Sequence, residues 1–274
     1  MLRQRVLTAL VLAPLALWAI VDLPETAFNV VWGLVIVLAA WEWGRLGGLS
    51  GILPVMYAVL VGVLVVLLFR LPEAPRWQAG VLLLAGFWWL GILLGLLRFR
   101  RHPVPHGVNR PGALISGLPV LLGAYFAVVL LRHTPGLGYP YIILLMLLVW
   151  GADTAAYFSG RAFGRHKLLP NVSPGKTWEG VYGALLASLL IAIGGAVWLD
   201  IPSSRWAVFL LVAIATVIFS VVGDLNESYF KRRAGMKDSS HLLPGHGGIL
   251  DRIDSLTAAA PIFLMGLNLL VRPA

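Results

Sequence analysis

The feature that most constrains this chain is a succession of nine apolar runs, each close to the length of a membrane crossing. They fall at about 5–22, 27–43, 52–69, 79–97, 113–131, 140–159, 179–199, 206–225 and 256–271. A helix that spans a bilayer needs about 20 mostly apolar residues, within a range of about 17 to 25. The pattern therefore predicts an all-α, polytopic integral membrane protein with about nine transmembrane helices. Composition agrees. The chain is 59% hydrophobic and only 12% charged, whereas a soluble domain carries about 25% charged residues. The second run is short and holds Glu42. The opening MLRQRVLTALVLAPLALWAI has the basic-then-apolar look of a signal peptide, but no small-residue cleavage site follows it. It reads as the first membrane helix. There is no cysteine, which excludes a disulfide framework, a thiolate metal site and a thiol nucleophile.

Lys and Arg are retained on the cytoplasmic side of membrane proteins. With the N-terminus cytoplasmic, 16 of the 21 basic residues fall in inside segments: Arg3, Arg5, Arg45, Arg98, Arg100, Arg101, Arg110, Arg161, Arg165, Lys167, Lys176, Lys231, Arg232, Arg233, Lys237 and Arg252. Only Arg70, Arg76, Arg132, Arg205 and Arg272 fall outside. The net charge of +9 thus belongs to the cytoplasmic loops of a membrane protein and does not indicate a nucleic-acid partner. Such loops also attract anionic lipid headgroups.

The acids divide the chain. Asp22, Glu25, Glu73 and Asp200 read as solvated outer-loop residues. Asp153, Glu179, Asp224, Glu227, Asp238, Asp251 and Asp254 all lie from the sixth run onward, at its inner side. Residues 1–135 therefore read as a region of apolar helices. Residues 136–274 read as a catalytic transmembrane region with cytoplasmic loops at 160–178 and 226–255. Asp153 stands inside an apolar run, where a carboxylate is costly and so a functional candidate. Asp224 and Glu227 are three apart, as are Asp251 and Asp254, which places each pair on one helix face. Two acid pairs at one membrane surface form a hard-oxygen set suited to Mg2+. An ion carrier using Asp153 and Asp224 is the alternative from another class. No internal repeat supports it.

The basic groups complete the picture. In SPGKTWEG, residues 173–180, Ser173 or Thr177 can cap the seventh helix, Pro174 suits its first turn, and Glu179 suits its positive end. Capping does not explain Lys176, which beside a helix N-terminus makes an anion site. Lys231, Arg232, Arg233 and Lys237 follow, then a turn in which Gly247 and Gly248 permit positive φ or a close ligand approach. Acids for metal, with bases and backbone amides for phosphoryl oxygens, read as phosphoryl-transfer chemistry. The membrane surface points to a lipid headgroup as one reactant.

Residues 228–254, SYFKRRAGMKDSSHLLPGHGGILDRID, resemble the signature of phosphatidate cytidylyltransferases, also called CDP-diacylglycerol synthases. Ser228, Lys231, Arg232, Lys237, Asp238, Pro244, His246, Gly247, Gly248, Asp251, Arg252 and Asp254 stand where that family has them. DTAAYFSGRAFGRHKLLPNVSPGKTWEG, residues 153–180, is similar to the family's middle segment. The resemblance implies that CTP and phosphatidic acid give CDP-diacylglycerol and pyrophosphate with Mg2+, at the cytoplasmic face of a bacterial-type inner membrane. It implies metal ligation by Asp224, Asp251, Asp254 and Glu227. Phosphoryl oxygens would fall to Lys176, Lys231, Arg232, Lys237 and Arg252, with Ser173, Thr177, Asp153, Gly247 and Gly248 also on the substrate side. Asp238 would ligate metal or orient Lys237, and His246 would bind or orient substrate. A second, monovalent cation and a homodimer are left open.

Overall fold

The computed structural model describes residues 2–71, 74–243 and 245–271, and their side chains except at 2–9, 74, 75 and 271. Glu73, Pro244 and Arg272 lie outside the described residues, as do the side chains of Arg3 and Arg5. Among the described residues there are nine α-helices: α1 Leu2–Asp22, α2 Glu25–Leu46, α3 Leu53–Arg70, α4 Ala74–Leu97, α5 Arg110–Arg132, α6 Gly138–Phe163, α7 Trp178–Trp198, α8 Trp206–Ala234 and α9 Leu250–Val271. Eight of them are long and apolar enough to cross a membrane, and in α1 the stretch Leu10–Asp22 is a shorter apolar helix. Every apolar run of the sequence is thus a helix.

Where chemistry begins, the boundaries depart from the hydropathy pattern. α8 runs nine residues past its apolar part, to Ala234. Nothing in DLNESYFKRRA breaks a helix, and Lys231, Arg232 and Arg233 in the last turn complement its negative end. It stops at Gly235, whose φ of 67° is the left-handed conformation common just past helix ends. α9 begins at Leu250, ahead of its apolar run. The loop expected at 226–255 therefore shrinks to 235–249. The other loop folds as an antiparallel hairpin, β1 Lys167–Leu169 and β2 Ser173–Thr177.

α5 is the central helix, 78% buried over its apolar window, against 28% for α3 and for α4 at the periphery. Small residues bring its neighbours close. Gly117 leaves no room for a Cβ beneath Trp43 and Tyr57. Those two side chains donate to α5 carbonyls, Trp43 Nε1 to Ala113 O at 2.8 Å and Tyr57 Oη to Leu114 O at 2.8 Å. The α6–α7 contact uses Gly160, Gly180 and Gly183, the last against Ser159. This is the close small-residue packing by which membrane helices associate without a hydrophobic drive. α8 meets α9 where Gly223 faces the backbone of Asp254 and Ser255. Any Cβ at position 223 would push apart the two helices that carry the acid pairs.

Candidate active site

The site lies at one end of the bundle, where α2, α6 and α8 finish and α7 and α9 begin. Its first element comes from the half of the chain that the sequence reading treated as apolar scaffold. Glu42, near the end of α2, is fully buried. Oε1 accepts from Ile249 N at 3.0 Å and from the Ser240 hydroxyl; Oε2 accepts from Leu250 N at 2.6 Å and from Ser239 Oγ at 3.0 Å. The first N–H groups of a helix have no intrahelical partner, and a carboxylate suits them by hydrogen bonding and by charge. Glu42 thus caps α9 from about two hundred residues away. Trp43, its neighbour, packs on Phe230 of α8 with ring centroids 4.9 Å apart.

Asp251 completes the cap from within. Its Oδ2 reaches back to Gly248 N at 2.7 Å, three residues earlier and just ahead of the helix, as in a capping box. The same oxygen accepts from Ser239 N at 3.0 Å and Ser239 Oγ at 2.8 Å, while Oδ1 accepts from Lys231 Nζ at 2.7 Å. Three donors thus crowd Oδ2, and Lys231 alone reaches Oδ1, which keeps one lone pair. Here the space that Gly247 and Gly248 leave is taken by the protein itself. A Cβ on Gly247 would strike Asp251, and one on Gly248 would strike Ser239 and Glu42. The two glycines make room for protein carboxylates, and Gly247 also takes a φ of 78°.

Lys231 joins the acid pairs. Its ammonium lies 2.6 Å from Glu227 Oε2 and 2.7 Å from Asp251 Oδ1, with both carboxylates nearly buried. It sits four residues after Glu227 on α8, as Ser228 sits four after Asp224 and donates to Asp224 Oδ1 at 3.3 Å. The other oxygen of Asp224 pairs with Lys176 Nζ at 2.7 Å. Lys176 is delivered by β2. Asn171 in the hairpin turn donates to Phe99 O and His102 O, and Glu179 of α7 accepts from the His166 amide at 3.3 Å. Glu179 also contacts His166 Nδ1 at 2.7 Å. Asp254 lies within electrostatic reach of Asp224, Lys176 and Glu227, and Asp153 within reach of Lys176 and Asp224.

α8 and α9 pack side by side and bring the two acid pairs, each on one helix face as their spacing predicts, together. Two lysines stand among them. Among the described residues, no three or more His, Asp or Glu side chains form a group able to hold one metal ion. Mg2+ is usually bound through one or two carboxylates, with waters and substrate phosphates filling its shell. Asp224 and Asp254 fit that donor set, and Glu227 Oε1 is buried without a hydrogen-bond partner. Asp251 offers only Oδ1, which it already shares with the Lys231 ammonium.

The remaining predicted residues divide. Thr177 is buried, and its hydroxyl caps α7 by accepting from Gly180 N at 3.2 Å. Ser173 and Pro174 lie in β2, ahead of the helix they were expected to start. Arg232 donates to Val172 O, and Arg252 donates twice to His246 O, at 3.1 and 2.8 Å. Both arginines and Lys237 are exposed, and Asp238 is half-buried near Gly247. His246 Nδ1 is buried without a partner. Beside these groups lies a cavity of about 530 Å3, with Asp153, His246, Asp251, Arg252 and Asp254 among its walls.

Sequence reasoning missed Glu42 and the serines 239 and 240. A lone acid in an otherwise apolar run was the available signal.

Comparison with known proteins adds an independent finding. The model of the cytidylyltransferase family matches residues 3–270. A Pseudomonas aeruginosa protein named phosphatidate cytidylyltransferase is 49% identical over 264 residues, 96% of each chain. One of the same name from Haemophilus influenzae is 38% identical, covering 96% of this chain and 97% of its own. A third, from Brucella suis, is 34% identical over 96% and 92%.

Proposed function

This chain belongs to the cytidylyltransferase family, and from that premise we propose that it forms CDP-diacylglycerol and pyrophosphate from CTP and phosphatidic acid. The observation that carries the reading is the near-full-length likeness to proteins named for that activity. The geometry supports it. The charged positions of the signature converge on one end of a membrane bundle, where a lipid phosphate and a soluble nucleotide can meet.

In the reaction, an oxygen of the lipid phosphate bonds to the α-phosphorus of CTP. The bond from that phosphorus to the oxygen bridging to the β-phosphate breaks, and pyrophosphate leaves with the electron pair. A phosphate monoester has its second pKa near about 6, so the nucleophile is already ionised at neutral pH and no strong base is needed. The work is positioning and charge neutralisation. Lys176, 2.7 Å from Asp224, can exchange that carboxylate for a phosphoryl oxygen. Arg232, Lys237 and Arg252 are exposed at the same end and can hold phosphoryl oxygens of the two substrates. His246, with an unpaired Nδ1, orients substrate. Asp224 and Asp254, with Glu227 beside them, would hold Mg2+, which when bound supplies positive charge to the phosphates. Lys231, enclosed by Glu227 and Asp251, keeps the acid pairs together and serves substrate less directly than its exposed neighbours.

The charge bias supports a cytoplasmic position for this end, and the reading puts the protein in a bacterial-type inner membrane, since 16 of the 21 basic residues lie in the segments that share a side with a cytoplasmic N-terminus. The carrier alternative gains nothing, because the acids gather at one end of the bundle and mark no path across it. The test uses purified protein in detergent with labelled CTP, phosphatidic acid and Mg2+. Labelled CDP-diacylglycerol and equimolar pyrophosphate are expected. Absence of both at saturating substrates refutes the reading.

A further inference from the structure

The cavity beside the acids has two unlike ends. One carries Asp153, His246, Asp251, Arg252 and Asp254. The rest is apolar and extends away from them between α1, α2 and α6. Along α6 its wall runs from Asp153 back to Ile142, a rise of about 16 Å at 1.5 Å per residue. That is about half of a hydrocarbon core some 30 Å thick, the depth of one leaflet. α1 lines it with Leu12, Ala13, Ala16, Ala19 and Ile20, which share one helical face. The opposite face, with Leu15 and Trp18, is exposed. Larger side chains at 13, 16 and 19 would fill the space that the alanines leave. The volume, about 530 Å3, is that of a small-molecule site, about 300–1,000 Å3.

We propose that this apolar sleeve between α1, α2 and α6 holds an acyl chain of the lipid substrate, with the α1 alanine face setting how much chain it accepts. The assignment rests on the reaction proposed above and deepens it. A molecule that fits must be charged at one end, apolar for one leaflet's depth, and aligned with the membrane helices. Phosphatidic acid has that form. The charged end of the sleeve already holds groups that a headgroup phosphate requires: the Arg252 guanidinium and the unpaired Nδ1 of His246. A chain in the sleeve fixes the headgroup at the level of Asp254 by contacts distant from the reacting phosphorus, and binding energy from such remote contacts is what orients a reacting group.

The experiment compares dioleoyl and dihexanoyl phosphatidic acid with wild type, Ala16→Phe and Leu15→Phe. Wild type must convert both lipids. A failure with both refutes the reaction, and the sleeve assignment falls with it. Ala16→Phe should lower kcat/KM for the dioleoyl lipid by about tenfold or more, the scale of shape discrimination in apolar pockets. The dihexanoyl lipid, whose short chains make little use of the sleeve, should be converted within about twofold of wild type, and this also reports that the variant is folded. Leu15→Phe, on the exposed face, should change neither. An equal fall for both lipids, or no fall, overturns the sleeve while leaving the reaction intact. A second measurement needs no variant. Phosphatidic acid bearing a diazirine near the chain terminus is irradiated with wild-type protein, alone and with excess phosphatidylethanolamine. Adducts on residues 12–20 of α1, or on Met146 or Trp150, that resist the competitor support the assignment. Adducts confined to the exposed faces of α3 and α4, or lost to the competitor, overturn it.

Discussion

Glu42 offers the sharpest test of how this site is held. Its carboxylate accepts four hydrogen bonds: two backbone amides that start α9, and the hydroxyls of Ser239 and Ser240. In Glu42→Ala the two hydroxyls can turn to other acceptors, but the amides of Ile249 and Leu250 cannot. Each buried donor left without a partner costs about 1–3 kcal/mol, and the lost charge at the helix end about 0.3–1 more. Together these come to about 2–7 kcal/mol, and the void left by the removed side chain adds to this. Glu42→Gln is milder. With its amide nitrogen placed at Oε2, Ser239 can accept from it and give its one proton wholly to Asp251. Only the Leu250 amide is then opposed, for about 1–4 kcal/mol with the charge loss included. The assay is the melting temperature in detergent, beside turnover of CTP and phosphatidic acid. Ala should melt well below Gln, and Gln below wild type. Activity should fall in the same order, because the fraying turn carries Asp251 and Arg252. If Glu42→Ala melts with wild type, the carboxylate does not anchor α9 and the account of the site fails.

Three further outcomes follow from the same geometry. Lys231→Met leaves Glu227 and Asp251 buried without their shared cation, a change worth about 3–5 kcal/mol; adding Glu227→Gln should recover part of the lost melting temperature, and no recovery would show that the bridge is not what stabilises. Lys176→Ala removes a charge-assisted contact of about 1.5–3 kcal/mol and should lower kcat/KM roughly 10- to 100-fold with little change in melting; full activity at subsaturating CTP would make it a topology signal only. Asp224→Asn keeps the shape and removes a ligand charge, so the Mg2+ midpoint of the reaction should rise several-fold or activity vanish; an unchanged midpoint and rate would place the metal elsewhere.

The helices were legible because hydropathy over about 20 residues is a long and redundant signal. The acid pairs were legible because a spacing of three is local and a helix fixes its meaning. What hydropathy hid is where helices end once they leave the apolar layer. DLNESYFKRRA continues α8 by propensity and by its basic last turn, neither of which an apolar window registers. The hairpin at 167–177 is held by Asn171 and Glu179 through partners that no spacing rule relates. Glu42 lies 207 residues before Ile249, so its role emerges only when α2 and α9 are placed together. Asp251 was legible as one of an acid pair, and its offset of three from Gly248 is also a capping spacing, but its contacts with Ser239 and Lys231 cross the loop and are set by no local rule.

Two demands meet at the α8–α9 contact. The proposed chemistry wants several carboxylates close together beside the phosphates. Folding opposes this, because like charges brought together out of water repel strongly. Gly223 lets the helices approach, and the approach alone would make the repulsion worse. Lys231 and Lys176 settle the conflict by standing among the acids, one enclosed by Glu227 and Asp251, the other paired with Asp224 at the rim. The difference in burial assigns them different tasks. The side chain of Lys231 is 15% exposed between two carboxylates that are 2% and 6% exposed, so moving it would strand charge. Lys176 and Asp224 are 24% and 32% exposed, and water can replace either partner while the other moves. The rim pair is therefore the one free to open when an anionic substrate arrives, and the enclosed lysine is the one that holds the acids in place until it does.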